Sequence, residues 1–236
     1  MTLHVLQHVK FEGPGFIADW ATINGHQLTF TRFYEPGYQL PGLEELNALV
    51  IMGGPMDVFA EHEFSWLHAE KVFIEDCIQA GKKVLGICLG AQLASWCLGS
   101  MVGVAPHKEI GWFPVTTTKD SERLPWFYDL FAGDPVVLHW HGDKFQIPYG
   151  GFELLRSAGN RNQAFLYNNN VLGLQFHLET TSETLALMIE NCRDELQPAK
   201  FIQSENEMLT GLIHIKANQY MMTRILDNFL NDTGVQ

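Results

Sequence analysis

The stretch VLGICLGAQLASW, residues 84–96, places a cysteine between two glycines, after an apolar run and before a helical pattern. A buried strand that turns sharply into a helix needs small residues beside the turn, because only glycine adopts strained backbone angles at low cost. Leu93 and Leu98 belong to an apolar face of the segment that follows, and Gly99 stands where a C-terminal cap belongs. The pattern predicts a strand–turn–helix unit with Cys88 at the turn.

Gly86 and Gly90 give this unit the spacing of a nucleophile elbow, with Cys88 where an α/β-hydrolase has serine. The N-terminus of the helix directs free N–H groups and a partial positive charge at the sulfur, which favours the thiolate, so we expect the pKa of Cys88 to be lowered. The alternative is that Cys88 only fills space, as buried cysteines often do. We expect packing alone of the remaining cysteines, which are Cys77, Cys97 and Cys192.

A thiol nucleophile requires a base, and the segment LQFHLE offers His177 followed by Glu179. Residues two apart in an extended chain face the same way, so Glu179 can hold the imidazole tautomer while His177 faces Cys88.

The segment IMGGPMD, residues 51–57, ends an apolar run in a loop whose bare backbone can approach a ligand. The amides of Gly54 and Leu89 are candidates for an oxyanion hole, although an ordinary turn would have the same sequence.

The segment HWHGD also permits a metal site, because His139 and His141 share a strand face and Asp143 follows. No third imidazole lies at a convincing spacing, so we predict no metal and no cofactor. We expect the other histidines to be surface or satisfied core residues, among them His4, His8, His26 and His62.

Apolar runs of strand length alternate with helical segments in the first hundred residues, which indicates a parallel sheet covered on both faces. The expected strands are 3–9, 27–33, 48–54 and 83–88, and the expected helices are 15–25 and 65–81. Closely spaced strands follow at 101–105, 112–118, 135–141, 152–158, 163–168 and 171–177. Asparagines in YNNNVLG, 167–173, predict a hairpin turn. We expect terminal helices near 182–196 and 216–231.

The composition limits the kinds of partner. The 236 residues carry 15 Lys and Arg against 27 Asp and Glu, a net charge of −12, which disfavours nucleic acid and anionic membranes. The uncharged stretch between Lys83 and Lys108 is long enough to span a bilayer, but its four glycines favour a strand, a helix and a second strand. The first residues, MTLHVLQHVK, lack the features of a secretory signal, so we expect a cytoplasmic protein.

Together these motifs resemble the class I (triad) glutamine amidotransferases: GGP, G-I-C-x-G-x-Q, H-G-D and Q-F-H-x-E occur in the family's order over about 45–180. The resemblance implies an α/β, three-layer flavodoxin-like fold with a mostly parallel central sheet and a small antiparallel extension. We expect a single domain over 1–236, with its core at about 1–195 and C-terminal helices at about 196–236. The resemblance further implies that Cys88 attacks the glutamine side-chain amide, that His177 moves the proton and that Glu179 orients His177. Gly54 and Leu89 would bind the oxyanion, and Gln92 would hold the substrate.

Two positions depart from the usual family pattern. Leu178 stands where proline is usual, and Trp140 stands where serine is usual, close to the expected position of the substrate α-carboxylate. The sequence has no phosphate-binding loop, so it resembles stand-alone relatives of the amidotransferase half of GMP synthetase. Three functions stay open: hydrolysis of glutamine with ammonia passed to a separate synthetase or acceptor enzyme, hydrolysis of another γ-glutamyl compound, and binding without catalysis.

Overall fold

The protein is described by a computed structural model that covers residues 1–231. Nine strands form one sheet in the order β2-β1-β3-β4-β9-β8-β7-β5-β6. The strands are β1 (Thr2–Gln7), β2 (Gln27–Arg32), β3 (Ala48–Ile51), β4 (Lys83–Ile87), β5 (Val102–Thr117), β6 (Val136–Phe145), β7 (Phe152–Ser157), β8 (Ala164–Tyr167) and β9 (Val171–Leu174). The first five strands in this order pair in parallel, and the pairs from β9 to β6 are antiparallel.

Seven α-helices accompany the sheet within the described residues. They are α1 (Phe16–Ile23), α2 (Trp66–Gln79), α3 (Leu89–Cys97), α4 (Pro125–Phe131), α5 (Ser182–Asn191), α6 (Glu205–Thr210) and α7 (Ile215–Asn231). The last five residues of the expected C-terminal segment, 232–236, lie outside the description. The preceding helix α7 packs on α1 and α4, and the Trp20 indole donates a hydrogen bond to Asp227 at 2.9 Å.

The parallel strands bury alternate side chains on opposite faces of the sheet. On β3, Val50 joins the apolar cluster that includes α1, α4 and α7, whereas Leu49 joins the cluster that includes α2 and α3. Neither side chain is exposed, because helices cover both faces. The helices on both faces give three layers. The parallel pairing of β1, β3, β4 and β9 brings their carboxyl ends to one edge, where the site lies.

The predicted α/β architecture with a central sheet is confirmed, as is the hairpin turn between β8 and β9. The two strands expected at 101–105 and 112–118 are one strand, β5, with an irregular register between Val104 and Glu109. Sequence reasoning missed α4 and α6. Both are short, and α4 lies in a stretch that we expected to be strand-rich.

The uncharged stretch after Lys83 forms β4, α3 and the beginning of β5. Within residues 1–231 no helix combines the length and the hydropathy that crossing a bilayer requires.

Candidate active site

The turn between β4 and α3 carries Cys88 in a strained conformation. Its φ is 52°, in the left-handed region that side-chain-bearing residues rarely adopt, and it stands at the N-cap of α3. A side chain at Gly86 would collide with the backbone of Gly90, and one at Gly90 would collide with the Ile51 carbonyl. Both glycines are therefore required by close contacts, as expected of small residues beside the turn. The expected strained backbone angle is not at either glycine but at Cys88 itself.

His177 and Glu179 follow β9 and form a buried pair beside Cys88. The distance between His177 Nδ1 and Glu179 Oε1 is 2.7 Å, and both side chains are almost fully buried. The backbone N–H of His177 donates to the Leu138 carbonyl at 2.8 Å, which fixes this segment against β6. With Nδ1 held by the carboxylate, Nε2 is the nitrogen free to exchange a proton with the thiol.

The ionisation of Cys88 and His177 is coupled. Burial lowers the pKa of His177, but the charge of Glu179 and the interaction with Cys88 outweigh burial and raise that pKa well above 6.5. Burial raises the pKa of the Cys88 thiol, and the hydrogen bond and charge of His177 and the Leu89 N–H oppose this rise. The expected lowering of the Cys88 pKa is therefore wrong, because it counted the helix N-terminus and left out desolvation.

A buried histidine supports the GGP loop. His8 Nδ1 lies 2.9 Å from the Gly53 carbonyl and His8 Nε2 lies 2.7 Å from Glu70 Oε1. Because both ring nitrogens face acceptors, these contacts favour the doubly protonated form of His8. Burial lowers its pKa, but Glu70 and the Gly53 carbonyl raise it above 6.5 overall. The ring also stacks on Phe33 and Trp66.

The two expected oxyanion donors lie on neighbouring segments. A side chain at Gly54 would contact the Leu89 side chain, so the GGP loop and the first turn of α3 are adjacent. Within residues 1–231, the Gly54 N–H donates to no other residue, whereas the Leu89 N–H faces the Cys88 thiol.

A cavity of about 430 Å³ opens above the sulfur. Gln92 lines it and donates from Nε2 to Gln175 Oε1 at 3.3 Å. Trp140 lines the other side, where its carbonyl accepts from Cys88 Sγ at 3.5 Å and its indole N–H donates to Glu195 at 3.4 Å. Trp140 thus borders the nucleophile directly. Leu178, the other departure, is fully buried in the apolar core and does not line the cavity.

Sequence reasoning missed Glu12, which also lines the cavity. It lies in the loop after β1, and its carboxylate would collide with any side chain at Gly53, as would His177 Cε1 at 3.2 Å. Burial raises the pKa of Glu12 to about 7, against the lowering influence of His177. The signal was the segment FEGPG at the carboxyl end of a parallel strand, where ligands bind in such sheets.

Of the three cysteines other than Cys88, two lie away from the cavity and one lines it. Cys77 is buried among apolar side chains, as expected. Cys97 is half-buried at the end of α3, and its thiol donates to the Lys71 carbonyl at 3.5 Å. Cys192 is buried at the end of α5 and lines the cavity, which was not expected.

His139 and His141 lie with Glu109 rather than with Asp143. Ligand atoms of these three buried residues lie within 4.8 Å of one another. The carboxylate of Glu109 already accepts hydrogen bonds from three neighbours, Ser157, Asn160 and Gln163, at 2.7–2.8 Å. The Glu109 carboxylate also lies 3.3 Å from His141 Nε2, and with three neutral donors already bound to it the cluster fits an internal polar network better than a metal site.

Comparisons with known proteins agree with this geometry. The sequence model of the family described as glutamine amidotransferase class-I matches residues 20–195. The glutamine amidotransferase-like protein YfeJ of Salmonella typhimurium is 34% identical over 214 residues, covering 88% of this chain and 89% of that protein. GMP synthase (glutamine-hydrolyzing) of Lactococcus lactis is 34% identical over 144 residues, which are 58% of this chain and 25% of that enzyme.

Solved structures share the fold over nearly the whole chain. A glutamine amidotransferase from Thermotoga maritima is 28% identical, with a TM-score of 0.87 over 98% of this chain and 99% of that one. A glutamine amidotransferase from Methylobacillus flagellatus is 25% identical, with a TM-score of 0.90 over 100% and 95% of the two chains.

Proposed function

The chain belongs to the class-I glutamine amidotransferase family, and from this premise we propose that it hydrolyses the glutamine amide through a γ-glutamyl thioester on Cys88. Family membership indicates an enzyme of glutamine amide hydrolysis with ammonia transfer. The thioester route and the role of each residue are our proposal. The observation that carries it is the arrangement of Cys88 in a strained elbow beside His177, whose other nitrogen is held by Glu179 at 2.7 Å.

In the first half-reaction, His177 Nε2 takes the Cys88 proton and the sulfur attacks the amide carbon. The imidazolium that forms is stabilised by Glu179, consistent with the raised pKa of His177. The N–H groups of Gly54 and Leu89 bind the oxyanion, and each such donor contributes about 10²- to 10³-fold in rate. His177 then protonates the nitrogen, the C–N bond breaks and ammonia leaves.

In the second half-reaction, His177 removes a proton from water, which attacks the thioester and releases glutamate and the Cys88 thiol. Gln92, on the first turns of α3, is proposed to hold the glutamyl part of the substrate. The ammonia would pass to a separate synthetase or acceptor enzyme. The support is that this chain matches only one quarter of GMP synthase, and the remainder of that enzyme has no counterpart in the match.

A second candidate is hydrolysis of other γ-glutamyl amides by the same residues. Its support is the size of the cavity, about 430 Å³, which falls in the range of roughly 300–1,000 Å³ typical of pockets for drug-sized ligands. Such a cavity has room for leaving groups larger than ammonia, and Trp140 borders it.

The test measures glutamate release from glutamine and from γ-glutamyl dipeptides by the wild type, Cys88→Ala and His177→Ala. We expect turnover by the wild type alone, with the preferred substrate separating the two candidates. Labelling of Cys88 by a glutamine-like electrophile, reduced in His177→Ala, would exclude a protein that only binds. A folded wild type that releases no glutamate from any of these compounds would overturn the proposal.

A further inference from the structure

We propose that Glu12 contacts the leaving nitrogen of the scissile amide and assists its expulsion, an inference that rests on the proposed function of the Cys88 site. The carboxylate would accept a hydrogen bond from an N–H of that nitrogen. This adds to Cys88 and His177 a third side chain that touches the reacting atoms.

The position of Glu12 relative to His177 carries the first step. His177 must deliver its proton to the leaving nitrogen, so that nitrogen lies beside the imidazole during expulsion. Glu12 and His177 Cε1 both approach the same point above Gly53. Glu12 also lines the cavity that holds Cys88. The carboxylate therefore lies on the side of the site where the amine departs.

The second support for this role is that the Glu12 carboxylate has no hydrogen-bond donor from the described part of the protein. Within residues 1–231, the Glu12 carboxylate has no hydrogen-bond partner, although it is half-buried. The other carboxylate on this side, Glu195, is committed to Lys108 at 2.7 Å and to the Trp140 indole at 3.4 Å. A carboxylate that lines a cavity and has no protein donor can accept a hydrogen bond from a ligand that displaces the water there.

The chemistry of amide cleavage supplies the role. As the Sγ–C bond forms, the C–N bond breaks and the His177 proton moves to nitrogen, so positive charge develops there. A carboxylate that accepts a hydrogen bond from this N–H stabilises the developing charge. Glu12 itself forms no covalent bond and is unaltered at the end of the reaction. An ester with the same acyl group forms the same thioester, but its leaving oxygen carries no N–H for Glu12 to accept.

The ionisation of Glu12 agrees with this role. Its pKa is raised to about 7, chiefly by burial; Glu179 and Glu195 add to the rise, and the neighbouring imidazoles of His177 and His8 oppose it. The carboxyl is thus poised between its two forms in the empty site, and a developing cation favours the ionised form.

The experiment compares L-glutamine with L-glutamate γ-methyl ester in the wild type, Glu12→Gln and Glu12→Leu. We expect kcat/KM for glutamine to fall about 10-fold in Glu12→Gln and about 100-fold in Glu12→Leu, the range for losing a charged hydrogen bond. We expect kcat/KM for the ester to stay within about twofold. The ester also reports that each variant is folded and that Cys88 is intact.

The matched control is Glu195→Gln, which removes a second carboxylate from the same cavity and should leave the amide-to-ester ratio unchanged. Equal losses on amide and ester in the Glu12 variants would mean a structural role and overturn the inference, while leaving the proposed function in place. A wild type that hydrolyses neither compound would overturn both.

Discussion

At the scale of single residues, the site combines groups whose charges depend on one another. His177 lies between the thiol of Cys88 and the carboxylate of Glu179, and both raise its pKa. Burial disfavours the thiolate of Cys88, and His177 opposes that effect. In the proposed mechanism the thiol gives its proton to His177, and the resulting thiolate–imidazolium pair requires Glu179.

Glu179→Gln tests this dependence. Without the negative charge, the pKa of His177 should fall, and kcat should drop by about 10²-fold, the lower range for a positioned base. NMR titration of the His177 ring measures the first effect and glutaminase assays measure the second. Glu183→Gln, an exposed carboxylate in the first turn of α5, is the control. An unchanged His177 titration in Glu179→Gln would contradict the proposed electrostatics.

The three proposed catalytic residues could be singled out from the sequence because each belongs to a local pattern. Cys88 stands between spaced glycines, and His177 and Glu179 are two residues apart on an extended segment. Glu12 and His8 have no such pattern, since their importance arises from contacts with Gly53, more than forty residues away. Contacts of this kind depend on which strands become neighbours, and the sequence pattern alone does not determine that order.

At the scale of elements, the elbow joins β4 and α3 so closely that backbones touch. The glycines at 86 and 90 were predictable because a tight strand-to-helix turn leaves no room for side chains beside it. The length of β5 was not predictable, because its two apolar runs are separated by Pro106, His107 and Lys108, which resemble a turn. Pairing with β6 carries the chain through that stretch as one strand with an irregular register.

Gly90→Ala tests the close contact in the elbow. The added methyl would meet the Ile51 carbonyl, so the backbone must shift, and we expect a loss of about 1–3 kcal/mol in the free energy of unfolding. Gly103→Ala, whose added methyl would meet open space, should change it by less than about 0.5 kcal/mol. Urea unfolding followed by circular dichroism measures both. Equal stabilities for the two variants would show that the elbow tolerates a side chain.

At the scale of the whole molecule, the buried polar groups behind the site make stability depend on pH. Burial lowers the pKa of His139 to about 4. Burial raises the pKa of Glu109, but the hydrogen bonds and charges of its neighbours, His141 first among them, outweigh burial and lower that pKa to about 2. A histidine whose pKa is lowered by folding contributes stability above its unfolded pKa of about 6.5, which is lost as pH falls towards 4. His8 and His177 act in the opposite direction, because folding raises their pKa values.

The contribution of His139 can be isolated by difference. Between pH 7 and pH 5, the cost of keeping this buried imidazole neutral grows by about 2 kcal/mol, from the shift between 6.5 and about 4. His139→Leu removes that cost, so the variant should lose about 2 kcal/mol less stability than the wild type over this interval. Urea unfolding at pH 7, 6 and 5 measures how the free energy of unfolding of the two proteins depends on pH. The difference between them reports His139, because His8 and His177 contribute equally to both. Parallel slopes would mean that His139 is protonated in the folded protein, with Glu109 as its counter-ion.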